Sequence, residues 1–279
     1  MILAGGMGYT RAMANPLRVE DSVAFAGDWV SQVVASSVHA GHELRPEVAD
    51  LMILDEEVRR REEDPHTEEI AAIVPARVLT TRSRFEVDLN RPRADAVYRT
   101  PDDCWGLEVW EGGTLPEDLT RGSLEVYDEF YARLGERLDA VAARGPFVLL
   151  DVHSYNHRRG GPDADPDPVE DRPQVNVGTG SLDRDRFGAL TEAFVAGLGS
   201  QLVGGEPIDV RENVRFRGRA LAAWVHERYP GVGCCLALEF KKTFMDEWTV
   251  EVDADRVEQT ARALAATLPV LEQQLRALA

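Results

Sequence analysis

Residues 147–152 form an apolar run that is interrupted only by Asp151, and they directly follow a helix predicted at residues 123–144. That helix has apolar side chains three or four positions apart along one face, and Gly145 and Pro146 end it. A strand with no polar face is typical of a sheet that helices cover on both sides. The chain is therefore expected to fold around a buried sheet.

The other segments continue an alternation of strands and helices. The predicted strands lie at residues 32–38, 77–80, 85–90, 147–152 and 233–240, and the predicted helices at residues 46–61, 67–73, 123–144, 183–202, 217–229 and 255–278, the last of these kinked or split by Pro269. This order predicts one three-layer αβα domain over residues 1–279 with a mostly parallel or mixed central sheet. Residues 1–27 are expected to form a loosely docked arm, and residues 160–173 an exposed loop.

The balance of charge limits the partners. Lys and Arg number 31 and Asp and Glu number 49, so the net charge is −18. Binding to nucleic acid or to an anionic membrane surface requires a basic face, and neither is expected here. No apolar run is long enough to span a bilayer and no signal peptide is recognisable, so the expectation is a soluble cytoplasmic protein. Cys104, Cys234 and Cys235 are expected to be buried free thiols.

Four of the six histidines occur in two groups, each at the end of a predicted strand. His39 and His42 follow the first predicted strand, and His153 and His157 follow the predicted strand at residues 147–152. Strand ends converge at one edge of an α/β sheet, so these groups predict a metal site. Hydrolytic zinc takes three nitrogen or oxygen ligands and leaves a position for water. His39 and His153 are the first two candidates, and the third ligand is open among Asp64, His42 and Glu43.

Glu239 lies near the end of the apolar strand at residues 233–240, which is an unusual place for an unpaired carboxylate. A nearby metal ion and its water would compensate for the charge, and a glutamate placed in this way could act as a general base. The simpler alternative is a salt bridge to Lys241 or Lys242.

Asn90 and Arg91 lie in the motif Asp-Leu-Asn-Arg-Pro at residues 88–92, at the end of another predicted strand. An arginine can hold a carboxylate through two parallel hydrogen bonds, or it can stabilise a developing oxyanion. The pair is thus a candidate for substrate binding, and Arg91 also for a catalytic role.

Several motifs taken together resemble the N-formylglutamate amidohydrolase family. They are the His-Ala-Gly-His-Glu-Leu segment from residue 39, the segment at residues 83–92, the Asp-Val-His-Ser segment from residue 151 with its continuation to residue 159, and the Leu-Glu pair at residues 238–239. The resemblance covers about residues 30–250, and the sheet it implies is similar to that of the zinc carboxypeptidases and zinc amidases.

The resemblance implies a zinc-dependent hydrolase of an N-acyl bond. It implies His39, Asp64 and His153 as metal ligands, Glu239 as the general base, and Asn90 and Arg91 as the pair that holds a substrate carboxylate. One departure leaves the second ligand open among Asp64, His42 and Glu43. Related desuccinylases and carboxypeptidases have a glutamate three residues after the first histidine, where this chain has His42.

The expected function is hydrolysis of the N-formyl or N-acyl amide of an acidic amino acid, such as N-formylglutamate. The expected cofactor is one zinc ion, for which another divalent transition metal could substitute, and the expected partner is a small anionic substrate. His157 and Arg158 are expected to help Asn90 and Arg91 anchor that substrate. One alternative is a zinc peptidase or peptide amidase with a larger acylated substrate. Another is a relative that binds a ligand without catalysis. The oligomeric state is left open.

Overall fold

The computed structural model describes residues 22–279, in which a seven-stranded sheet is the central element. A separate two-stranded hairpin is formed by β6 and β7. The strands are β1 (Val23–Ala26), β2 (Val33–Ser37), β3 (Ala76–Thr80), β4 (Phe147–Tyr155), β5 (Val175–Gly178), β6 (Leu202–Val203), β7 (Glu206–Pro207), β8 (Val210–Glu212) and β9 (Gly233–Lys241).

Helices connect most of these strands. They are α1 (Pro46–Ala49), α2 (Glu56–Glu62), α3 (Thr67–Ala71), α4 (Glu117–Ala142), α5 (Arg184–Gly199), α6 (Ala220–Arg228), α7 (Ala254–Ala265) and α8 (Leu268–Leu278). Pro269 lies in the first turn of α8, where a missing backbone N–H costs no hydrogen bond, and the predicted helix at residues 255–278 is split there.

The sheet is mixed, with the strand order β1-β3-β2-β4-β9-β5-β8. Its centre is parallel, since β3, β2, β4 and β9 run in the same direction. β1 and β5 are antiparallel to their inner neighbours, and β8 is parallel to β5. All nine residues of β4 are buried, as the apolar run at residues 147–152 predicts.

The two faces of the sheet are covered by different helices. Side chains of α3, α5, α7 and α8 pack with Val148, Leu150 and Val152 of β4 in one apolar cluster. Side chains of α4 and α6 pack with Phe147 and Leu149 in another. The predicted three-layer α/β fold with a mixed sheet is therefore confirmed.

The parallel direction of β2, β4 and β9 brings their carboxyl ends to one edge of the sheet. His39 follows two residues after the end of β2, and His153 lies near the end of β4. Glu239 of β9 is the register partner of His153. In open α/β sheets this edge is where ligands bind.

The predicted helix at residues 46–61 is wrong, because the chain forms two short helices, α1 and α2, separated by residues 50–55. Met52 in this interval forms a β-bridge with Trp110, and the Ile53 N–H donates a hydrogen bond to the Val109 carbonyl at 2.9 Å. Pairing with a distant loop thus replaces the hydrogen bonds that would have continued the helix.

Residues 85–90 form turns instead of the predicted strand. Phe85 packs in a third apolar cluster with Tyr98, Cys104, Trp110 and other side chains from residues 48–115. Val87 and Leu89 pack instead in the cluster with α4 and α6, so the apolar positions that suggested a strand are buried without one. The 3-10 turns in this part of the chain are Arg93–Asp95 and Pro101–Cys104.

Most of the predicted arm, residues 1–21, lies outside the described residues, but Val23–Ala26 forms the edge strand β1. The segment 160–173 is mostly exposed, with Arg172 and Pro173 buried at its end. All three cysteines are free and buried, as expected. No helix within residues 22–279 has the length and apolar character needed to cross a membrane.

Candidate metal centre

Three buried side chains converge at the carboxyl edge of the sheet: His39, Asp64 and His153. One ligand atom from each lies within 4.8 Å of the other two. Nδ1 of His153 is 3.1 Å, and Nδ1 of His39 3.5 Å, from the same Asp64 oxygen, Oδ2. Both rings therefore direct the same nitrogen towards one point beside the carboxylate.

The outer nitrogens of both rings face carboxylates. Nε2 of His39 lies 2.7 Å from Oδ1 of Asp88, and Nε2 of His153 lies 2.9 Å from Oδ2 of Asp151. At His39 the hydrogen bond to Asp88 favours the tautomer with its proton on Nε2, which leaves the Nδ1 lone pair available as a ligand. This arrangement of carboxylate, histidine and shared point is the usual environment of metal-binding histidines.

Asp64 is held by its backbone and by its neighbours. Its N–H donates to the His39 carbonyl at 2.9 Å, and Ser154 Oγ donates to its Oδ1 at 3.3 Å. Lys242 is buried, and its Nζ donates to the carbonyls of Arg61 and Glu63 at 2.6 Å each, which fixes the turn that carries Asp64. Burial disfavours the charged carboxylate, but hydrogen bonds from the two histidines outweigh it and hold the pKa of Asp64 well below its usual range.

The electrostatics of the pocket favour a positive charge. Burial acts to lower the pKa of His153, but Asp151 and Asp64 outweigh burial and hold that pKa well above its ordinary value. Two imidazole nitrogens and one carboxylate oxygen form a donor set that suits a divalent transition metal such as zinc, with a coordination position left open. His39, Asp64 and His153 therefore fit a metal ion.

Glu239 lines the same cleft as these three residues. Burial raises the pKa of Glu239 to about 7, although the nearby His153 acts in the opposite direction. None of the described residues forms a hydrogen bond with its carboxylate, and Lys242, one of the two lysines considered as its partner, is engaged with backbone carbonyls. The Glu239 carboxylate is thus left to interact with molecules in the cleft.

The cleft is small, with a volume of about 80 Å³. Its walls also carry cations and aromatic rings, namely Arg84, Arg159, Arg219, Lys242, Trp105, Tyr155 and Phe216. Arg84 is bound to Asp88 at 2.8 Å and Arg159 to Glu62 at 3.1 Å, whereas no carboxylate of residues 22–279 pairs with Arg219.

Sequence reasoning did not single out Arg84 or Arg219. Arg84 lies four residues before Asp88, a spacing that permits an ion pair within one turn. Arg219 is the last of three arginines at alternate positions, 215, 217 and 219, directly before an apolar helix. These two sequence patterns are the features from which Arg84 and Arg219 could have been predicted as site residues.

Two of the proposed ligands lie elsewhere. His42 Nδ1 is 2.5 Å from Oε2 of Glu63, and its Nε2 is 2.9 Å from a guanidinium nitrogen of Arg59. Glu43 is exposed, and its backbone N–H is bound to the Thr81 carbonyl at 2.8 Å. The structure therefore brings Asp64 to the two histidine rings, and not His42 or Glu43.

Asn90 lines the cleft, but its side chain is engaged with the protein. Nδ2 lies 3.1 Å from His153 Nε2, and Oδ1 accepts the Leu221 N–H at 3.0 Å. Arg91 donates from Nη2 to the Asp103 carbonyl at 2.6 Å, and it lines a neighbouring cavity instead of the cleft.

His157 and Arg158 are placed outside the cleft as well. Their backbone N–H groups bind the Glu247 carboxylate at 2.8 Å and 2.7 Å, and the Arg158 guanidinium binds Asp246 at 2.8 Å. Both residues line a shallow surface cavity, where these acids hold them. The structure does not bring this expected pair of substrate anchors to the histidines.

The fold and the site define an α/β protein with a candidate metal-binding site at the carboxyl edge of a mixed sheet. The family model of N-formylglutamate amidohydrolase matches residues 31–245. The chain therefore belongs to the N-formylglutamate amidohydrolase family, and the family is one of amidohydrolases.

Solved structures support the fold. The N-formylglutamate amidohydrolase from Ralstonia eutropha JMP134 has a TM-score of 0.70 and 18% sequence identity, over 92% of this chain and 98% of that one. The gene product Atu2144 from Agrobacterium tumefaciens has a TM-score of 0.61 and 16% identity, over 90% of this chain and 96% of that one. A search of curated protein sequences finds no significant match.

Proposed function

We propose that this protein is a metal-dependent amidohydrolase that removes a formyl or short acyl group from the nitrogen of an acidic amino acid, with N-formylglutamate as the model substrate. The observation that supports this most directly is the convergence of His39, Asp64 and His153 within 4.8 Å, in a cleft that Glu239 also lines. The small volume of the cleft, about 80 Å³, suits a formyl or similarly short acyl group.

His39 and His153, through Nδ1, and Asp64, through its carboxylate, would hold the metal ion, and zinc is the first candidate. When bound, such an ion polarises the acyl carbonyl and makes a water molecule more acidic. The outer carboxylate of Asp88 would keep the His39 ring in the tautomer that binds a metal.

Glu239 is the proposed general base. Its carboxylate accepts a proton from the water that attacks the acyl carbonyl, and it then donates that proton to the nitrogen that leaves as the amine. The acyl C–N bond breaks, and the products are formate, or the short carboxylic acid, and the free amino acid. Arg219 lines the cleft without a carboxylate partner among residues 22–279, so it is available to contact the anionic substrate.

The decisive variant is Glu239→Gln. We expect it to retain bound metal and to lose turnover by about 10² to 10⁴, the usual contribution of a general base. Metal content would be measured by mass spectrometry, and formate release from N-formyl-L-glutamate by a coupled assay. Glu258→Gln on the exposed surface of α7 is the matched control, because it makes the same chemical change away from the cleft.

Three outcomes would contradict parts of the proposal. Full turnover in Glu239→Gln would remove that residue from the mechanism. Cleavage of blocked dipeptides in preference to N-formyl-L-glutamate would favour the peptidase alternative. Wild-type protein that binds no metal after growth in metal-supplemented medium would favour a relative without catalysis.

A further inference from the structure

A second cavity lies directly beside the cleft, with a volume of about 470 Å³. Asn90 and Arg219 line both spaces, so the two adjoin at these residues. The cleft itself, at about 80 Å³, is far smaller than the roughly 300 Å³ typical of the smallest ligand pockets. A substrate whose amide reaches Glu239 must therefore extend beyond the cleft, and the second cavity is an adjoining space large enough to receive the remainder.

The charged side chains in the walls of this cavity are mainly cationic. Arg91, Arg217 and Arg219 contribute guanidinium groups, against the single carboxylate of Asp95. This composition contrasts with the chain as a whole, whose net charge is −18. A local cationic cavity in an acidic protein is suited to concentrate an anionic ligand that the surrounding field repels.

Some exposed arginines of residues 22–279 are paired with carboxylates of that range, whereas Arg217 and Arg219 are not. Arg184 binds Glu212 at 2.7 Å, and Arg228 binds Asp139 at 2.8 Å. By contrast, within the part of the chain that the structure describes, no carboxylate lies within ion-pair distance of Arg217 or Arg219. Their charges are left for a ligand.

The backbone that carries these arginines is held firmly. Asn176 Oδ1 accepts the N–H groups of residues 215 and 216, and the Arg217 carbonyl accepts the Gly180 N–H at 2.7 Å. Gly178 packs so closely that a Cβ there would lie 2.4 Å from the Gly218 nitrogen. Because the backbone is already in place, less ordering is required when a ligand binds.

We propose that Arg217 and Arg219 form the anion-binding wall of this cavity and receive the side-chain carboxylate of the substrate. The inference rests on the proposed function, because it assumes that the scissile amide occupies the cleft beside Glu239. The two arginines would select an acidic amino acid over its neutral amide. The start of α6 at Ala220 adds the positive end of a helix dipole to the same cavity.

The first test compares N-formyl-L-glutamate with N-formyl-L-glutamine, which differ only in the charge and chemistry of the side-chain terminus. The variants are Arg217→Gln, Arg219→Gln and the double variant. Arg121→Gln on α4 is the control, because it removes one exposed positive charge that lines neither cavity.

We expect each single variant to lower kcat/KM for the glutamate substrate by roughly ten- to hundredfold, the usual worth of a hydrogen bond to a charged group. The value for the glutamine substrate should change far less, and the control should leave the preference between the two substrates intact. A preference for glutamate that survives in the double variant would overturn the inference.

The second test measures binding without turnover. Glutarate and its monoamide are titrated into the protein as isolated, by calorimetry. The wild type should bind glutarate more tightly, and the double variant should bind both compounds alike. If the wild type shows this preference, the double variant loses it and the wild type releases no formate, the cavity assignment stands and the proposed reaction fails. If the wild type shows no preference for glutarate, the cavity assignment fails, whatever the turnover.

Discussion

Asp88→Asn tests whether the outer carboxylates control the candidate metal site. Asp88 is buried, and its two oxygens have four hydrogen-bond partners: His39 Nε2 at 2.7 Å, the Asn90 N–H at 2.9 Å, Arg84 at 2.8 Å and the Tyr98 hydroxyl at 2.5 Å. Arg91 Nε also lies 3.6 Å from Oδ2. Burial opposes ionisation, but Arg84 and His39 outweigh it and hold the pKa of Asp88 well below its usual range.

Asparagine keeps the shape of the side chain but has one acceptor oxygen. If its amide nitrogen faces His39, two donors meet and the proton of the ring is driven to Nδ1, which removes the proposed ligand atom. If the nitrogen faces Arg84 instead, a buried guanidinium loses its counter-charge. We expect zinc affinity to fall about 10- to 100-fold, or about 1.4 to 2.7 kcal/mol, and stability to fall by about 3 to 5 kcal/mol.

Zinc affinity would be measured by competition with a chromophoric chelator, and stability by urea unfolding of the metal-free protein. Asp128→Asn is the matched control, because Asp128 is an exposed carboxylate paired with Arg93 at 2.6 Å on the surface. It should leave zinc affinity unchanged. If Asp88→Asn binds zinc as tightly as the wild type does, Asp88 does not orient His39 for a metal, and the tautomer argument is wrong.

Two further predictions concern stability. Lys242→Met should lower the free energy of unfolding by about 1 to 3 kcal/mol for each carbonyl left unpaired, at Arg61 and Glu63. The variant should also bind the metal more weakly. An unchanged midpoint of urea unfolding would contradict the predicted loss of stability. Burial lowers the pKa of His226, whose Nε2 accepts the Cys235 N–H at 2.9 Å. The unfolded chain therefore binds a proton more readily, and stability should be lost as pH falls below about 6.5. In urea titrations, His226→Gln should lose less free energy of unfolding between pH 7.5 and pH 5.5 than the wild type does. The same pH dependence in both proteins would count against this role of His226.

Elements with strong local signals were predictable from the sequence. The apolar spacing of α4 and the position of Pro269 between α7 and α8 are properties of single segments, and both were predicted. His39 and His153 could be brought together in the prediction because each follows an apolar strand. The carboxyl ends of parallel strands share one edge of a sheet, so their meeting required no knowledge of the loops.

Elements that depend on distant contacts were not predictable. The interval between α1 and α2 has apolar residues at helical spacing, but Met52 and Ile53 pair with the loop around Trp110. β5 has only four residues and includes Asn176, so its short sequence has no clear strand pattern. Its place in the sheet depends on antiparallel pairing with β9, more than fifty residues later in the chain.

The third side chain at the histidine pair shows the same limit. Spacing alone could not choose among Asp64, His42 and Glu43, and the family resemblance left the same three residues open. In the structure, the choice depends on Lys242, which holds the turn before Asp64, and on Glu63, which binds His42. Both contacts join segments far apart in the sequence. The sequence around Asp64 alone therefore does not predict these contacts.

Side chains of β4 alternate between the two faces of the sheet, and this alternation determines both which residues enter the core and on which face the site lies. In β4, Val148, Leu150 and Val152 face one helical layer, and Phe147 and Leu149 face the α4 and α6 layer. Successive side chains point to opposite faces, so His153 continues the second series.

In β9, Leu236 and Leu238 belong to the first layer and Cys235 to the second. Glu239 therefore lies on the same face as its register partner His153. A slip of β9 by one residue would carry Glu239 into the apolar cluster formed by α3, α5, α7 and α8, where an unpaired carboxylate is costly. The free-energy cost of moving Leu238 out of the apolar cluster thus also keeps Glu239 beside the histidines, so the packing of the core protects the register between Glu239 and His153.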